Sequence, residues 1–97
     1  MAERASPQSD DLIAITPHFR LQWEEAQQAY VLLYPEGMVK LNAASAEILK
    51  RCSGDRCVAE IIEDLQKQFP EDDIEVDVLE FLEVAYEKGW VRTKRAG

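Results

Sequence analysis

The sequence predicts an α+β fold, winged-helix-like, in which a three-stranded antiparallel sheet is followed by three helices. Two observations predict it. Between residues 19 and 41 apolar and polar side chains alternate at the period of a β-strand. From residue 43 onward apolar side chains recur every three or four residues, as on an amphipathic helix. A chain of 97 residues suffices for one domain with a single modest core.

The segment 30–42 carries the most specific local pattern: a strand, a tight turn, a second strand and a helix start. Pro35 fixes φ at the first bend, and Gly37 is expected to supply the positive φ that a short hairpin needs. Asn42 is a favourable N-cap for the alanine-rich segment that follows. With a first strand at 19–23, this segment predicts an antiparallel meander.

The first helix is predicted from residue 43 to about residue 51, with Gly54 as its C-terminal stop. The second follows Cys57, which stands three residues before Glu60 in the spacing of a capping box. Because a thiol replaces the usual hydroxyl, we expect this cap to be weak. Pro70 ends the second helix.

The third helix is predicted to begin after Asp72 or Asp73 and to end at Gly89 as its C′ residue, with Trp90 packing across the helix end. Its apolar arc is wide, and acidic residues occupy the opposite side. The residues central in the arc are expected to face the core: Ile74, Val78, Leu82 and Ala85.

Composition predicts the domain limits and the kind of partner. We expect a flexible N-terminal tail over 1–15, a single domain over 16–92 and a short basic tail over 93–97. The net charge is −8, and residues 60–88 hold eleven acidic side chains against two lysines. Such a surface repels phosphate backbones, which argues against a nucleic-acid partner.

No apolar run is long enough for a membrane span, and we expect a cytoplasmic protein.

The sequence offers no credible catalytic or metal-binding set. His18 is the single histidine, and Cys52 and Cys57 are two thiols without a second pair. We expect these thiols to be reduced and no metal or cofactor to be bound. No nucleophile with an adjacent base can be assembled, so we expect a protein that is not an enzyme.

The remaining resource is the edge of the predicted sheet. An extended peptide can add to a free edge as a further strand, and a helix with extra apolar residues at its margin would complete a groove. Phe81 lies at the margin of the third helix, with Asp77 at i−4 and Val84 at i+3. The predicted peptide-binding residues are Met38, Val39, Lys40, Leu41, Asp77, Phe81 and Val84.

Two alternatives stay open at this point. Phe81 could be a core residue and Val84 a chance exposed valine, which is ordinary on a protein surface. The chain could also be a winged-helix DNA-binding regulator. A basic recognition helix would support that function, and the acidic segment 72–87 argues against it.

The run Leu-Tyr-Pro-Glu-Gly at 33–37 is the most specific part of a wider pattern. Over about residues 17–92 the sequence resembles the PqqD family of pyrroloquinoline quinone biosynthesis. Ser53 and Cys57 depart from the family pattern at a turn and at a helix cap. The other matching residues and segments are Leu32, Met38–Asn42, Ile48-Leu49, Gly54, Ile61-Ile62, Leu65, Asp77-Val78, Phe81-Leu82 and Gly89-Trp90.

The resemblance implies a peptide chaperone without a cofactor of its own. Proteins of this family bind the leader part of the precursor peptide PqqA and present it to the radical S-adenosylmethionine enzyme PqqE, which joins a glutamate and a tyrosine of the peptide. It also implies that the peptide adds as a fourth strand between the third predicted strand and the third helix. Residues 16–92 would then be a single peptide-binding domain.

Overall fold

The computed structural model describes residues 7–94, and these form an α+β fold, as predicted. Strands β2 to β4 make the predicted meander and precede all three helices; the winged-helix likeness stays a prediction. The elements in chain order are β1 Leu12–Ile15, β2 Arg20–Glu24, β3 Ala29–Tyr34, β4 Gly37–Lys40, α1 Ala43–Lys50, β5 Ser53–Cys57, α2 Val58–Gln68, α3 Ile74–Glu87 and β6 Val91–Lys94.

The meander pairs β2 with β3 and β3 with β4, both antiparallel. Its second turn is the two-residue loop Pro35-Glu36. Gly37 already belongs to β4 and pairs with Tyr34, and it is not among the positive-φ residues of the described chain. The prediction for Gly37 was therefore wrong, because a residue paired in the ladder is extended.

A second antiparallel sheet, which the sequence analysis did not predict, has the strand order β5-β1-β6. Its central strand is β1, in which Ile13 is fully buried. The expected tail over 1–15 is thus corrected, since residues 12–15 pair with strands on both sides. The expected basic tail is corrected at residues 93 and 94, which belong to β6. Residues 1–6 and 95–97 of these tails lie outside the described part.

Gly54 lies in β5 and does not stop α1, contrary to the prediction. Its φ is +93°, and a Cβ atom there would lie 3.5 Å from Cβ of Ala14 in the neighbouring strand. The other end of α1 is as predicted. The side chain of Asn42 accepts a hydrogen bond from the Ser45 N–H at 2.7 Å, so Asn42 is the N-cap.

The first turn of α2 is satisfied in part by main-chain atoms of the segment expected to be a tail. The carbonyl of Asp11 accepts from the Val58 N–H at 3.2 Å, and that of Ser9 accepts from the Ala59 N–H at 3.0 Å. The Glu60 carboxylate accepts from the Cys57 N–H at 2.9 Å. The start of α2, which has a thiol in the cap position, is therefore supported by two carbonyl groups of the N-terminal segment.

The third helix ends in a Schellman motif centred on Gly89, whose φ is +82°. The Gly89 N–H donates to the Tyr86 carbonyl at 3.1 Å, and the Trp90 N–H donates to the Ala85 carbonyl at 2.8 Å. Asp73 is the N-cap residue, although its side chain makes no capping hydrogen bond. The core-facing residues of α3 are those predicted: Ile74, Val78, Leu82 and Ala85.

These four residues join one buried cluster that also draws on β1, β3, α1, α2 and β6. Cys52 belongs to this cluster, and burial raises the pKa of its thiol to about 12. Both cysteines are free thiols, as expected. Within residues 7–94, no helix has the length and apolar character needed to cross a membrane.

Arg51, at the C-terminal end of α1, ties this helix to α2. Its Nε donates to Asp64 Oδ2 at 2.5 Å, and one terminal nitrogen donates to the Glu47 carboxylate at 2.9 Å. The other terminal nitrogen donates to Gln68 Oε1 at 2.7 Å. The guanidinium lowers the pKa of both Asp64 and Glu47 through these hydrogen bonds. Because Arg51 is 14% exposed, it is better shielded from solvent than an ordinary surface cation.

Replacing Arg51 by methionine is expected to lower the free energy of unfolding by about 1–2 kcal/mol at neutral pH, because three side-chain partners lose their donor. The folded pKa values of Asp64 and Glu47 are depressed, so their stabilisation is present above the unfolded carboxyl pKa and is lost as pH falls through the folded one. The loss caused by Arg51→Met should therefore shrink on acidification. Urea unfolding at several pH values measures it.

The matched control is Arg56→Met. Arg56 contacts the same Asp64 oxygen at 3.6 Å, but its side chain is 44% exposed. We expect the free energy of unfolding of this variant to lie within a few tenths of a kcal/mol of that of the unmodified protein. Equal losses in the two variants would contradict the role given to Arg51.

Candidate functional site

Strand β4 lies at an edge of the meander sheet and pairs with β3 on one side. The Leu41 N–H, just beyond β4, donates to the Tyr30 carbonyl at 3.0 Å. Backbone groups in an antiparallel ladder alternate in direction, so those of Val39 also face β3. The N–H and C=O groups of Met38 and Lys40 therefore face the outer side, where a further strand could pair with them.

A groove of about 420 Å³ runs beside this edge, between β4, the start of α1 and α3. Residues of β4 line it on the strand side, residues of α3 on the helix side, and residues of the first turns of α1 complete the lining. The structure brings six of the seven predicted residues to this groove: Val39, Lys40, Leu41, Asp77, Phe81 and Val84.

The seventh predicted residue, Met38, does not line the groove, although its side chain is 48% exposed. Its contribution would be limited to the free backbone groups of the edge. Leu41 lines the groove but is only 6% exposed and belongs to the core cluster. Leu41 therefore forms floor, and its backbone N–H is already used by β3.

The helix wall is made by the flank of α3 next to its buried stripe. Phe81 is half-buried, and its ring centroid lies 6.3 Å from that of Trp90. Val84 is 43% exposed, and Asp77 is exposed at the same flank. Phe81 thus contacts the core and also lines the groove, so the two alternatives for it are not exclusive.

Six other lining residues were missed by the sequence analysis. Trp90 was placed at the helix end without a role in the groove, and the α1 residues come from a helix to which no role in binding was assigned. A run of small side chains directly after the edge strand was the available signal. The missed residues are Asn42, Ala44, Ser45, Ile48, Glu80 and Trp90.

The groove combines apolar walls with charges of both signs. Lys40 lies on the strand side, and Asp77 and Glu80 lie on the helix side. Within residues 7–94, no group of three or more His, Cys, Asp or Glu side chains is placed to hold a metal ion. The arrangement is therefore suited to holding an extended chain through backbone hydrogen bonds and side-chain contacts.

A family model described as "Coenzyme PQQ synthesis protein D (PqqD)" matches residues 29–91. The chain belongs to the PqqD family. The matched residues run from the start of β3 to the start of β6 and so include every element that lines the groove. This confirms the resemblance that the sequence analysis identified.

Relatives of similar length carry the name "PqqA binding protein". The one from Azotobacter vinelandii is 55% identical over 84% of this chain and 90% of its own length. The one from Methylococcus capsulatus is 47% identical over 90% of this chain and 94% of its own length.

The fold also matches a solved structure of the family. It is the solution NMR structure of the PqqD truncation of Methylobacterium extorquens PqqCD, described as a functional, stand-alone RiPP recognition element. The TM-score is 0.76 at 26% identity, and the match covers 91% of this chain and 96% of that one.

Proposed function

We propose that this protein is an adaptor that binds the precursor peptide PqqA as an added strand on β4 and presents it to the radical S-adenosylmethionine enzyme PqqE. The observation that carries the proposal is the groove between the outer edge of β4, which pairs with no strand among residues 7–94, and the apolar flank of α3. The names of the relatives support PqqA as the ligand. The part assigned to PqqE rests on the family resemblance and on charge.

Binding uses two kinds of contact. The N–H and C=O groups of Met38 and Lys40 can form hydrogen bonds with the backbone of an added strand, largely independently of its side chains. Each such bond has a net contribution of about 0.5–1.5 kcal/mol. Side chains on one face of the added strand enter the groove, where Phe81 and Val84 offer apolar surface. Asp77 favours a cation on the peptide. The backbone therefore contributes affinity that does not depend on the peptide sequence, and the α3 wall contributes affinity that does.

The chain itself performs no chemistry in this proposal. Its task is to order a segment of a flexible peptide so that the remainder reaches the catalytic enzyme at a high effective concentration. It needs no metal or cofactor for this task. We place the protein in the cytoplasm, where free thiols such as Cys57 stay reduced.

Replacing Lys40 by proline is expected to weaken PqqA binding by about tenfold or more, because the ring removes the outward N–H and occupies the space of the added strand. The fold should survive, since this N–H does not bond β3. Lys40→Ala, which keeps the N–H, should retain most of the affinity. Titration calorimetry gives the affinities and circular dichroism the folded state. Normal binding by a folded Lys40→Pro variant would show that the peptide binds elsewhere.

Val84→Glu tests the helix wall. Val84 is exposed, so the melting temperature should change little. A buried carboxylate in the complex should weaken peptide binding by about tenfold or more. Val76→Glu is the matched control, because Val76 is 46% exposed on the same helix and does not line the groove. If neither the melting temperature nor the affinity of Val84→Glu changes, the wall is wrongly placed.

The outer faces of α2 and α3 supply the proposed contact with the enzyme. Exposed carboxylates cover them, and α3 has no basic residue in its last turn. Exposed charges contribute little to folding but favour encounter with a surface of opposite charge. We therefore expect PqqE to present a basic surface to this face.

The association of this protein with PqqE should weaken steadily from low to near-molar ionic strength, because salt screens exposed charges. Exchanging Glu83 and Glu87 for glutamine should weaken association at low salt and reduce its salt dependence, while peptide affinity stays unchanged. Surface plasmon resonance measures both. Association that does not respond to salt would exclude this electrostatic contact.

A further inference from the structure

Beside the groove lies a second cavity, of about 320 Å³, between the start of α1, the end of α2 and the start of α3. Its lining is mainly apolar, and it is open to solvent. Ala44, Ile48 and Asp77 line both this cavity and the groove, so the two spaces adjoin each other. No sequence pattern pointed to this space, since its walls come from three helices that only the fold brings together.

The cavity exists because α1 begins with two alanines. Ala43 and Ala44 are too small to fill the space between α1 and the start of α3, and both are exposed. The cavity floor is formed by core residues, with Leu65 at 3% and Val78 at 1% exposure. An apolar recess that larger side chains at two surface positions could fill is available to a ligand.

We infer that this cavity binds one apolar side chain of the same peptide that pairs with β4, at a position next to a basic residue. This inference rests on the proposed function. A peptide that runs along β4 past Leu41 reaches Ala44 and Ile48, two residues that line both the groove and the cavity. A side chain next to that point of the peptide is then within reach of the cavity.

Size and charge define the side chain. A volume of about 320 Å³ lies at the lower limit of ligand pockets, which suits a leucine-sized or aromatic side chain better than a separate cofactor. Asp72 and Asp77 are exposed at the rim and would attract a neighbouring cation. An apolar side chain in a desolvated pocket is the type of contact that dominates binding energy, so the cavity would fix the peptide register.

Filling the cavity from the protein side tests the inference. Ala43 lines the cavity but not the groove, so Ala43→Phe should compete with the peptide side chain and weaken PqqA affinity about tenfold. Ala59→Phe is the matched control, because Ala59 is exposed in the first turn of α2 and lines neither space. Its affinity for PqqA should equal that of the unmodified protein.

A second measurement keeps the test independent of how Ala43→Phe folds. Isotope-filtered NMR on the unmodified protein with PqqA should give intermolecular NOEs from one apolar peptide side chain to the methyl groups of Ala43 and Val78. NOEs to Phe81 and Val84 report the groove in the same experiment. NOEs at the groove without any at the cavity, or undiminished binding by Ala43→Phe, would overturn this inference and leave the proposed function standing.

Failure of the proposed function has a different signature. In that case Lys40→Pro and Val84→Glu also bind PqqA normally, and no NOE connects the peptide to Phe81. The two failures are therefore distinguishable from one set of variants and one NMR sample.

Discussion

The burial of one stripe of α3 determines the geometry on which the groove depends. Val78, Leu82 and Ala85 are each no more than 1% exposed, so the helix cannot rotate without opening the core. At 100° per residue, the flank that carries Phe81 and Val84 then faces β4. The same packing that stabilises the domain thus holds the Phe81 and Val84 flank of α3 beside the strand edge.

The second sheet, β5-β1-β6, helps to fix the position of the C-terminal end of α3. The Schellman motif at Gly89 turns the chain out of α3 and directly into β6, which pairs with β1 in the register Ile15 to Val91. The Thr16 N–H also donates to the Trp90 carbonyl at 2.9 Å. The end of α3, and with it the Trp90 ring that packs on Phe81, is therefore held by a strand from the other end of the chain.

The parts predicted from sequence are those with a local cause. The alternation over 30–41 predicted the meander edge, and the helical period predicted the buried stripe of α3 and its flank. The second sheet has no such signal, because β5 contains Gly54 and Asp55, which disfavour strands, and β1 has only four residues. Their strand state depends on pairing with each other. The groove residues Ile48 and Trp90 were missed for the same reason, since tertiary packing brings them there.

An open strand edge is a hazard as well as a binding device, because it can pair with any extended chain. In β4 the exposed edge is four residues long and carries a lysine, and both features limit pairing with other copies of the protein. The α3 wall adds a further restriction, since an added strand must place its inward side chains against Phe81 and Val84. Ordering a flexible peptide costs conformational entropy, and the few hydrogen bonds that a short edge supplies do not offset this cost on their own. In the proposed mode of binding, stable association at this edge therefore requires side chains that fill the apolar space beside it, and the shape of that space would select among peptides.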